Sequence, residues 1–420
     1  MELLDAIESK RDYAVHKLRE LVQIPTVVPP GENYLKIVKF LGKELGSFCD
    51  VEEVVMPEGI FREKQRRGRE TLRGERANLR ATMDTAADET VVLYTHLDVV
   101  PVDTTWSYPP FEGVIENEKM YGRGVSDSKA AVAALLTTLN CMDELGIEPT
   151  YNLNIALTTD EEVGPYSGLC YFADEGLLYG DYFLCMDGSS DDICIGSNGV
   201  ISWKVKVHGK SCHSGRSFLG VNAIEKAKEV MDELMKLKKE VEKRESSLAM
   251  STPIREISGF EHVKPVLNLC MIKGGIKNNI VPGECILEGD RRFIPEEKLE
   301  DVVKELEESL AKIKVDFEWS WRFGYPPMLT DREHPWVKRV QKIASQVKGK
   351  KRELVGTQGS LDVAYAIQRT KQPVACFGVG RVLESNAHGS NENIRIRDLM
   401  DYAKFLGLLL TVNKTFYLEE

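Results

Sequence analysis

The chain has 420 residues, with 55 basic and 66 acidic side chains, a formal net charge of −11 at pH 7 and 42% hydrophobic residues. This composition is that of an ordinary globular protein with room for two or three domains, and its acidic balance argues against general nucleic-acid binding. No stretch approaches the roughly 18 uncharged apolar residues of a membrane span, so we expect no membrane association. The nine cysteines occur singly, which favours reduced thiols in a cytoplasmic protein over disulfides or a thiolate zinc site.

An arginine-rich segment, "FREKQRRGRETLRGER" (residues 61–76), runs against this acidic balance. It is interrupted by Glu63, Glu70 and Glu75 and carries no aromatic residue after Phe61. Grooves for single-stranded nucleic acids need aromatic side chains on which bases stack. Because strand-like pieces flank the segment, we interpret it as a solvated hairpin or an oligomer contact.

Apolar β-rich runs alternate with helical runs from about residue 80 to residue 200. The runs "VVLYTHLDVVPV", "YNLNIALTTD" and "YFLCMDGS" predict strands, and "SDSKAAVAALLTTLNCMDEL" predicts a helix. Strands that are apolar almost throughout, with helices between them, are typical of a parallel sheet covered on both faces. We therefore predict an α/β fold with a mostly parallel sheet flanked by helices.

The pattern changes near residue 199. Strand-like "ISWKVKVHG" leads to a long helical run, two more strand-like runs, a second helical run and the strand-like "KVDFEWSWRF". This order of elements is typical of a ferredoxin-like α+β domain. Helical "PWVKRVQKIASQV" and strand-like "PVACFGVG" then resume the first pattern. We predict that residues 199–323 form a domain inserted into another, which consists of residues 1–198 and 324–420.

Acidic residues and histidines follow several of the predicted strands. They are His96 and Asp98 in "THLDVVP", Asp127 in "GRGVSDSK", Glu161 and Glu162 in "TTDEEVG", Asp187 in "MDGS" and His388 in "NAHGSNEN". Ligands of open parallel sheets bind at the carboxyl ends of the strands, so the fold would bring these residues together. Taken singly, each has an ordinary interpretation: a solvated corner for the acid pair, a helix N-cap for Asp127 and a loop histidine for His388.

Taken together, these residue types predict a two-metal centre. Two histidines and three carboxylates supply mixed nitrogen and oxygen ligands for two divalent ions, each left with room for water. Asp127 is the expected bridge because it lies between the two histidine positions in the proposed arrangement. Asp98 shares a strand face with His96 and would accept the second ring N–H of that histidine.

The adjacent acids Glu161 and Glu162 take different roles in this interpretation. Neighbouring residues leave a strand in different directions, so Glu162 can ligate a metal while Glu161 faces the bound water. Glu161 would then act as the general base, passing a proton from water to the leaving amine. Two cations would also remove the repulsion that makes such an acidic cluster costly.

The segments "THLDVVP", "YGRGVSDSK", "TTDEEVG", "MDGS" and "AHGSNE", in this order, closely resemble a co-catalytic di-zinc family. That family includes glutamate carboxypeptidase, aminoacylase, acetylornithine deacetylase, succinyl-diaminopimelate desuccinylase and the carnosine dipeptidases. The resemblance covers nearly the whole chain. It implies His96, Asp127, Glu162, Asp187 and His388 as ligands of two zinc ions, with cobalt or manganese as substitutes. It also implies a cis peptide at Asp127–Ser128 and a homodimer in which the inserted domain is lid and dimerisation unit.

Four further motifs resemble the family's substrate-binding groups. "GKSCHSG" is similar to the lid motif whose histidine, here His213, crosses the dimer interface to steady the oxyanion. "NNIVP" and "DRRF" place Asn279 and Arg292 among groups that hold the substrate's carbonyl or carboxylate, for which a guanidinium is suited. "GTQGSLD" stands where the family has Gly-Thr-Ser-Asp and makes Ser360 the expected substrate contact.

These observations predict a cytoplasmic di-metal hydrolase that cleaves an amide bond in dipeptides or small peptides. Asp187 as the fifth ligand favours a peptidase within the resembled family. The alternative is an N-acyl-amino-acid deacylase of the acetylornithine deacetylase or succinyl-diaminopimelate desuccinylase type. A catalytically silent dimeric scaffold is more remote, because it has no use for an unligated Glu161. A serine enzyme built on "SDSK" (residues 126–129) is disfavoured, since no Lys-Thr-Gly or Ser-Asp-Asn follows it.

Overall fold

A computed structural model of the chain describes residues 2–65 and 71–412. The helices are α1 (Glu2–Ser9), α2 (Arg11–Val22), α3 (Tyr34–Leu45), α4 (Glu58–Lys64), α5 (Ala130–Leu145), α6 (Gly168–Asp174), α7 (Ala223–Val241), α8 (Thr252–Ser258), α9 (Leu299–Leu310), α10 (Pro335–Lys348), α11 (Asp362–Thr370) and α12 (Ile396–Thr411). Within these described ranges, no helix combines the length and the apolar character that crossing a membrane requires.

The strands fall into two main sheets and two small ribbons. They are β1 (Asp50–Met56), β2 (Arg76–Met83), β3 (Thr90–His96), β4 (Val114–Glu116), β5 (Lys119–Tyr121), β6 (Asn152–Thr158), β7 (Tyr182–Cys185), β8 (Ile193–Ser197), β9 (Gly199–His208), β10 (Cys212–His213), β11 (Val266–Gly274), β12 (Ile280–Val281), β13 (Glu284–Phe293), β14 (Phe317–Phe323), β15 (Met328–Leu329), β16 (Leu354–Thr357), β17 (Val374–Cys376) and β18 (Asn393–Arg395). The large sheet has nine strands, in the order β1-β2-β6-β3-β7-β17-β8-β15 with β16 beside β8.

The centre of the large sheet is parallel and its margins are antiparallel. Strands β6, β3, β7 and β17 run in one direction, whereas β1, β2 and β15 pair antiparallel to their neighbours. In β3 and β6 every residue after the first is buried, so both faces of the sheet centre are covered. Helices α5, α12 and α2 pack on one another, and α3 packs on β1 and β2. The predicted α/β fold with helix-flanked parallel strands is confirmed.

Helix α5 carries the apolar run that the sequence marks as strongly helical. Twelve of its 16 residues are buried, because it packs between α2 and α12 in the large hydrophobic core. Gly146 ends the helix with φ of 62°, in the left-handed region where glycine has no steric penalty. This helix starts directly after the turn that carries Asp127, and therefore anchors that turn to the core.

The second sheet is fully antiparallel, in the order β11-β13-β9-β14, and it packs against α7 and α9. Burial alternates along β9: Ile201, Trp203 and Val205 lie in a separate hydrophobic core, and the residues between them are only half-buried. The order strand-helix-strand-strand-helix-strand is that of the predicted ferredoxin-like unit. The sheet begins at Gly199 and ends at Phe323, and we retain residues 199–323 as the proposed extent of the inserted domain.

Residues 246–263 lie between α7 and β11 in the chain but pack against the large core. Leu248, Met250 and Val263 belong to the hydrophobic cluster of the nine-stranded sheet. Met250 forms a bridge with Gly356, whose backbone N–H donates to the Ala249 carbonyl at 2.8 Å. This segment therefore fastens the second sheet to the first one.

The arginine-rich segment connects β1 and β2, which are antiparallel neighbours. The connection joins neighbouring antiparallel strands as a hairpin does, and it contains the short helix α4. Residues 66–70 of the predicted solvated hairpin lie outside the described residues.

Candidate metal centre and substrate cavity

The carboxyl ends of three parallel strands deliver most of the predicted metal-binding residues. His96 is the last residue of β3, the Glu161–Val163 turn begins three residues after the end of β6, and Asp187 follows β7 by two residues. These strands are neighbours in the order β6-β3-β7, so their ends meet at one edge of the sheet. The structure therefore brings together side chains that are far apart in the sequence.

Asp127 lies between the two histidines. Its Oδ1 is 2.8 Å from His96 Nε2, and its Oδ2 is 3.0 Å from His388 Nε2. His388 Nε2 also lies 3.0 Å from Glu162 Oε1, and His96 Nε2 lies 3.9 Å from Asp187 Oδ2. The cluster thus has two halves that share Asp127: His96 with Asp187, and His388 with Glu162.

Each half has the donor set of a divalent cation site. In both sets, His96–Asp127–Asp187 and Asp127–Glu162–His388, one ligand atom of each residue lies within 4.8 Å of the others. One imidazole nitrogen and two carboxylate oxygens are ligands that zinc accepts, with a position left for water. The residues present therefore fit two cations, and the shared carboxylate suits a bridge.

The charges of this cluster are unbalanced without cations. Burial and then the negative charge of Asp127 raise the pKa values of Glu162 and Asp187 to about 7. Burial also opposes ionisation of Asp127, but hydrogen bonds from His388 and His96 outweigh it and lower its pKa. Two divalent ions would stabilise all three carboxylates in their charged form.

Glu161 reaches the same cavity beside a second buried acid, Asp362. Burial and then the charge of Asp362 raise the pKa of Glu161 well above its usual value. Asp362 accepts hydrogen bonds from the hydroxyls of Tyr94 at 2.8 Å and Ser167 at 2.6 Å. The sequence analysis missed Asp362, although it ends the quoted motif "GTQGSLD". Glu161 also lies within 4.8 Å of ligand atoms of His96 and Glu162, so it stands next to the predicted metal ligands.

Asp98 contacts the cluster differently from the expectation. The ring Nδ1 of His96 lies 3.0 Å from the Asp98 backbone carbonyl and 3.6 Å from its carboxylate Oδ1. The Asp98 carboxylate instead accepts the backbone N–H groups of Glu161 at 3.3 Å and Glu162 at 3.1 Å. Asp98 therefore contacts the turn of the acid pair through its carboxylate and the His96 ring mainly through its backbone carbonyl.

A buried ion pair between Arg123 and Glu392 connects the segments that carry Asp127 and His388. Glu392 accepts the backbone N–H groups of Ser126 at 2.8 Å and Asp127 at 3.1 Å, and it pairs with Arg123 at 2.8 Å. Arg123 Nη2 donates to the His388 carbonyl at 3.2 Å. Sequence reasoning missed both residues, although Glu392 ends the quoted "AHGSNE". One ion pair therefore orients two ligand-bearing loops.

The turn at Asp127 has the backbone that the family resemblance implies. The peptide bond Asp127–Ser128 is cis, and the Ser128 hydroxyl donates to the His96 carbonyl at 3.1 Å. Lys129 is fully buried and donates to the carbonyls of Leu21 at 3.0 Å and Ile24 at 2.8 Å. These contacts engage the lysine of the "SDSK" motif elsewhere, so the serine-enzyme interpretation gains no support.

A cavity of about 610 Å³ lies between the metal-binding edge and the second sheet. Its lining includes Asp127, Glu161, Glu162, Asp187 and His388 from the large sheet, and Val200, Ser202, Asp290, Arg292 and Arg322 from the second. Tyr325 and Ser360 also line it. The Tyr325 hydroxyl and Ser360 Oγ are buried and have no hydrogen-bond partner within residues 2–65 and 71–412. Both are therefore available to a ligand in this cavity.

His213 and Asn279 lie apart from this cavity. They line a separate cavity of about 450 Å³, together with Ser211, Cys212, Lys277 and Ile280. His213 is exposed, its Nδ1 accepts the N–H of Gly215 at 3.1 Å, and the Asn279 carbonyl accepts the N–H of Ser214 at 3.0 Å. The single chain therefore does not bring His213 or Asn279 to the metal cluster, whereas Arg292 and Ser360 line the cavity next to it.

Residues 92–411 match the sequence profile of Peptidase family M20/M25/M40. The chain belongs to this family. Members of the M20 family are metallohydrolases that act on amide bonds, so the predicted family and the predicted hydrolytic activity are confirmed.

Two curated relatives illustrate how far the M20 similarity extends. The chain is 29% identical over 353 residues to an uncharacterized metallohydrolase of Methanocaldococcus jannaschii, covering 79% of this chain and 82% of that one. It is 25% identical over 391 residues to a succinyl-diaminopimelate desuccinylase of Acidovorax ebreus, covering 90% and 93%. Both alignments therefore span most of each protein.

Solved structures of M20 enzymes share the fold. The M20 family metallo-carboxypeptidase Sso-CP2 of Sulfolobus solfataricus superposes with a TM-score of 0.77 at 20% identity, covering 96% of this chain and 99% of that one. Human carnosine dipeptidase 1 superposes with a TM-score of 0.72 at 19% identity, covering 97% and 98%. At these identities the likeness establishes the architecture alone.

Proposed function

We propose that this M20 protein is a two-metal hydrolase that cleaves the amide bond of dipeptides or small peptides next to a residue with a free carboxylate. The observation that carries the proposal is Asp127, shared between two histidine–carboxylate halves, with Glu161 beside them. Zinc is the proposed metal, with cobalt or manganese as substitutes. His96, Asp187, Glu162 and His388 would supply the other ligands.

The chain's own residues provide the proton transfer and the orientation of the substrate. When bound, two zinc ions polarise the scissile carbonyl and lower the pKa of water. The Glu161 carboxylate takes a proton as the water oxygen bonds to the carbonyl carbon, and it delivers that proton to the amine nitrogen as the C–N bond breaks. Arg292 would bind the substrate carboxylate, because a guanidinium matches its geometry.

We further propose that the protein is a homodimer in which His213 of one copy stabilises the oxyanion in the other. His213 is exposed and lines a cavity away from the metal cluster. Large apolar side chains are exposed near it in the inserted domain, with Phe218 at 82% and Ile276 at 88% of full exposure. Soluble monomers rarely expose contiguous apolar surface. In addition, β11 is an edge strand of this sheet, and an edge strand has unpaired backbone groups that can pair with another chain. A second copy of the chain is a fitting partner for this surface.

Deacylation of N-acyl amino acids is the second candidate. The curated relative named succinyl-diaminopimelate desuccinylase aligns over 90% of this chain. The same machinery would serve either reaction, because both substrates contain an amide next to a carboxylate-bearing amino acid. The preference between peptides and N-acyl amino acids would depend on the cavity residues that contact the acyl side of the scissile amide.

The decisive experiment combines a substrate panel with the variant Glu161→Gln, using protein of defined metal content. The panel compares dipeptides with N-acetyl, N-succinyl and N-formyl amino acids. We expect Glu161→Gln to lose about 10²- to 10⁴-fold in kcat while it retains the metals, because a general base contributes that much. Glu175→Gln, at an exposed position outside the cavity lining, is the matched control and should behave as the wild type.

Three results would contradict the proposal. Full activity of Glu161→Gln would exclude its role as base, and full activity after removal of metal by a chelator would exclude a metal mechanism. A metal-loaded wild type that hydrolyses no member of the panel would favour the silent scaffold.

A further inference from the structure

The second sheet contributes two arginines to the wall that faces the metal cluster. Arg292 on β13 pairs in register with Val200 on β9, and Arg322 on β14 pairs with Ser202 on β9. Val200 and Ser202 are two residues apart and therefore lie on the same face of the strand. Val200, Ser202 and both arginines line the cavity. The two guanidinium groups therefore belong to the same wall of this cavity.

These two arginines differ in their counter-ions. Arg292 Nε lies 3.2 Å from Asp290 Oδ2, and the other oxygen of Asp290 accepts a hydrogen bond from Asn268 Nδ2 at 2.9 Å. Asp290 is in register with Ser202, in the same cross-strand row as Arg322, but its carboxylate is already occupied by these contacts. The Arg322 side chain is exposed, and its guanidinium makes no hydrogen bond or ion pair with any residue of 2–65 or 71–412.

The wall therefore presents a cation that has no partner among the described residues to a cavity that the proposed metal-binding residues also line. Exposed arginines are common on solvated strands, but this one lines the same cavity as the predicted metal ligands and Arg292, whose Nε already pairs with Asp290. A guanidinium binds a carboxylate through two parallel hydrogen bonds, and such charge-assisted pairs are strong where water is partly excluded. The chemistry of the wall thus fits a ligand with a carboxylate in addition to the one assigned to Arg292.

We propose that Arg322 is a specificity-determining residue that binds a second carboxylate, on the acyl side of the scissile amide. This inference rests on the proposed function and narrows its substrate class. The preferred substrate joins an amino acid with a free carboxylate to an acyl group that itself carries a carboxylate. Such an acyl group is either a dicarboxylic acid residue of the N-succinyl type or an amino-terminal acidic residue of a dipeptide.

The spacing of the two arginines is compatible with such a ligand. They lie two strands apart and are offset by two residues, which separates their Cα atoms by roughly 12 Å. Long side chains that converge on one cavity shorten this separation, and an extended dipeptide spans about 7 Å. Two carboxylates at opposite ends of a substrate of this size can therefore contact both guanidinium groups while the amide lies near Glu161.

Paired substrates that differ only in the second carboxylate test the inference. One pair compares N-succinyl with N-acetyl derivatives of one amino acid, and the other compares Glu-Xaa with Gln-Xaa dipeptides. We expect the wild type to prefer the carboxylate-bearing member of at least one pair, and the preferred pair identifies which acyl source the site takes. For that member, Arg322→Ala should lose about 10- to 100-fold in kcat/KM, as expected for charge-assisted hydrogen bonds.

Two additional variants separate specificity from a general defect. Arg322→Lys keeps the charge but lacks the planar fork, so it should recover only part of the loss. Arg397→Ala removes an exposed arginine outside the cavity lining and should match the wild type. All variants should bind the same amount of metal, and Arg322→Ala should hydrolyse the N-acetyl or Gln-Xaa member at nearly the wild-type rate.

The inference is overturned if the wild type shows no preference within either pair. It is also overturned if Arg322→Ala slows both members of a pair equally, since Arg322 would then serve a role other than recognition of the second carboxylate. Failure of the proposed function has a different signature, because a metal-loaded wild type would then hydrolyse none of the four substrates.

Discussion

The metal-binding edge of the large sheet and the exposed surface around His213 hold their polar side chains in opposite ways. At the edge, His96 and Asp98 are fully buried, and backbone donors and a buried ion pair orient the side chains around them. His213 lies on the two-residue strand β10, which pairs only with β12, and its side chain is exposed. The residues of the first region come together within one chain, whereas the second is the surface for which a dimer contact is proposed.

This difference follows from the free energy of burying charge. A buried carboxylate or imidazole that lacks partners costs several kcal/mol, so His96 and Asp98 have hydrogen-bond partners, and two cations would balance the remaining carboxylates. An exposed histidine is hydrated by water and needs no such partners within its own chain. Buried ligands held by fixed partners are therefore a feature of the metal-binding edge, whereas the exposed His213 is left to the proposed contact with a second subunit.

Loss of the His213 imidazole should produce the largest effect in the inserted domain. His213→Ala should reduce kcat by roughly 10²- to 10³-fold, the usual loss for one oxyanion donor, with the metal content unchanged. Mixing it with the inactive Glu161→Gln should restore activity, because a mixed dimer has one site with an intact Glu161 and the partner's His213. Steady-state rates across a range of mixing ratios measure this complementation. A mixture as inactive as its two components would contradict a contribution across the interface.

Breaking the buried ion pair between Arg123 and Glu392 should lower the affinity of the metal-binding edge for cations. Glu392→Gln should lower metal affinity by about 10- to 100-fold, as is typical when a group that orients metal ligands is removed. Titration against a competing chelator measures this affinity. The control is Glu305→Gln, which removes the partly buried carboxylate that pairs with Arg291 in the inserted domain and should lower stability without changing metal affinity. Equal affinities of the two variants would show that Glu392 acts only on stability.

The smallest expected effect is that of Ser360→Ala. Its Oγ is buried, lines the cavity and has no hydrogen-bond partner among the described residues. Loss of one substrate hydrogen bond should raise KM about 3- to 10-fold, and the melting temperature should not fall because no internal bond is lost. Ser246→Ala is the matched control, because its hydroxyl bonds Glu296 at 3.0 Å. This control should lower the melting temperature at unchanged KM. A lower melting temperature at unchanged KM for Ser360→Ala would instead assign Ser360 a structural role.

The sequence by itself determined the elements of this protein that depend on local pattern. Apolar runs of strand length with helices between them predicted the parallel centre of the large sheet, and polar residues at the strand ends predicted the cluster of His96, Asp127 and His388. The family was also readable, because its motifs are short contiguous segments. The cis peptide at Asp127–Ser128, which the resemblance implied, is present in the structure.

Only the tertiary structure decided which groups satisfy one another across the fold. It brought the Glu392 carboxylate to the backbone N–H of Asp127 and the Asp98 carboxylate to two backbone N–H groups, and it put Arg322 on the cavity wall with no counter-ion among the described residues. Residues such as these are chemically ordinary in the sequence, and their partners lie tens to hundreds of positions away. Their roles depend on which buried donors and charges remain unmatched after the chain has packed, and that balance is a property of the whole fold.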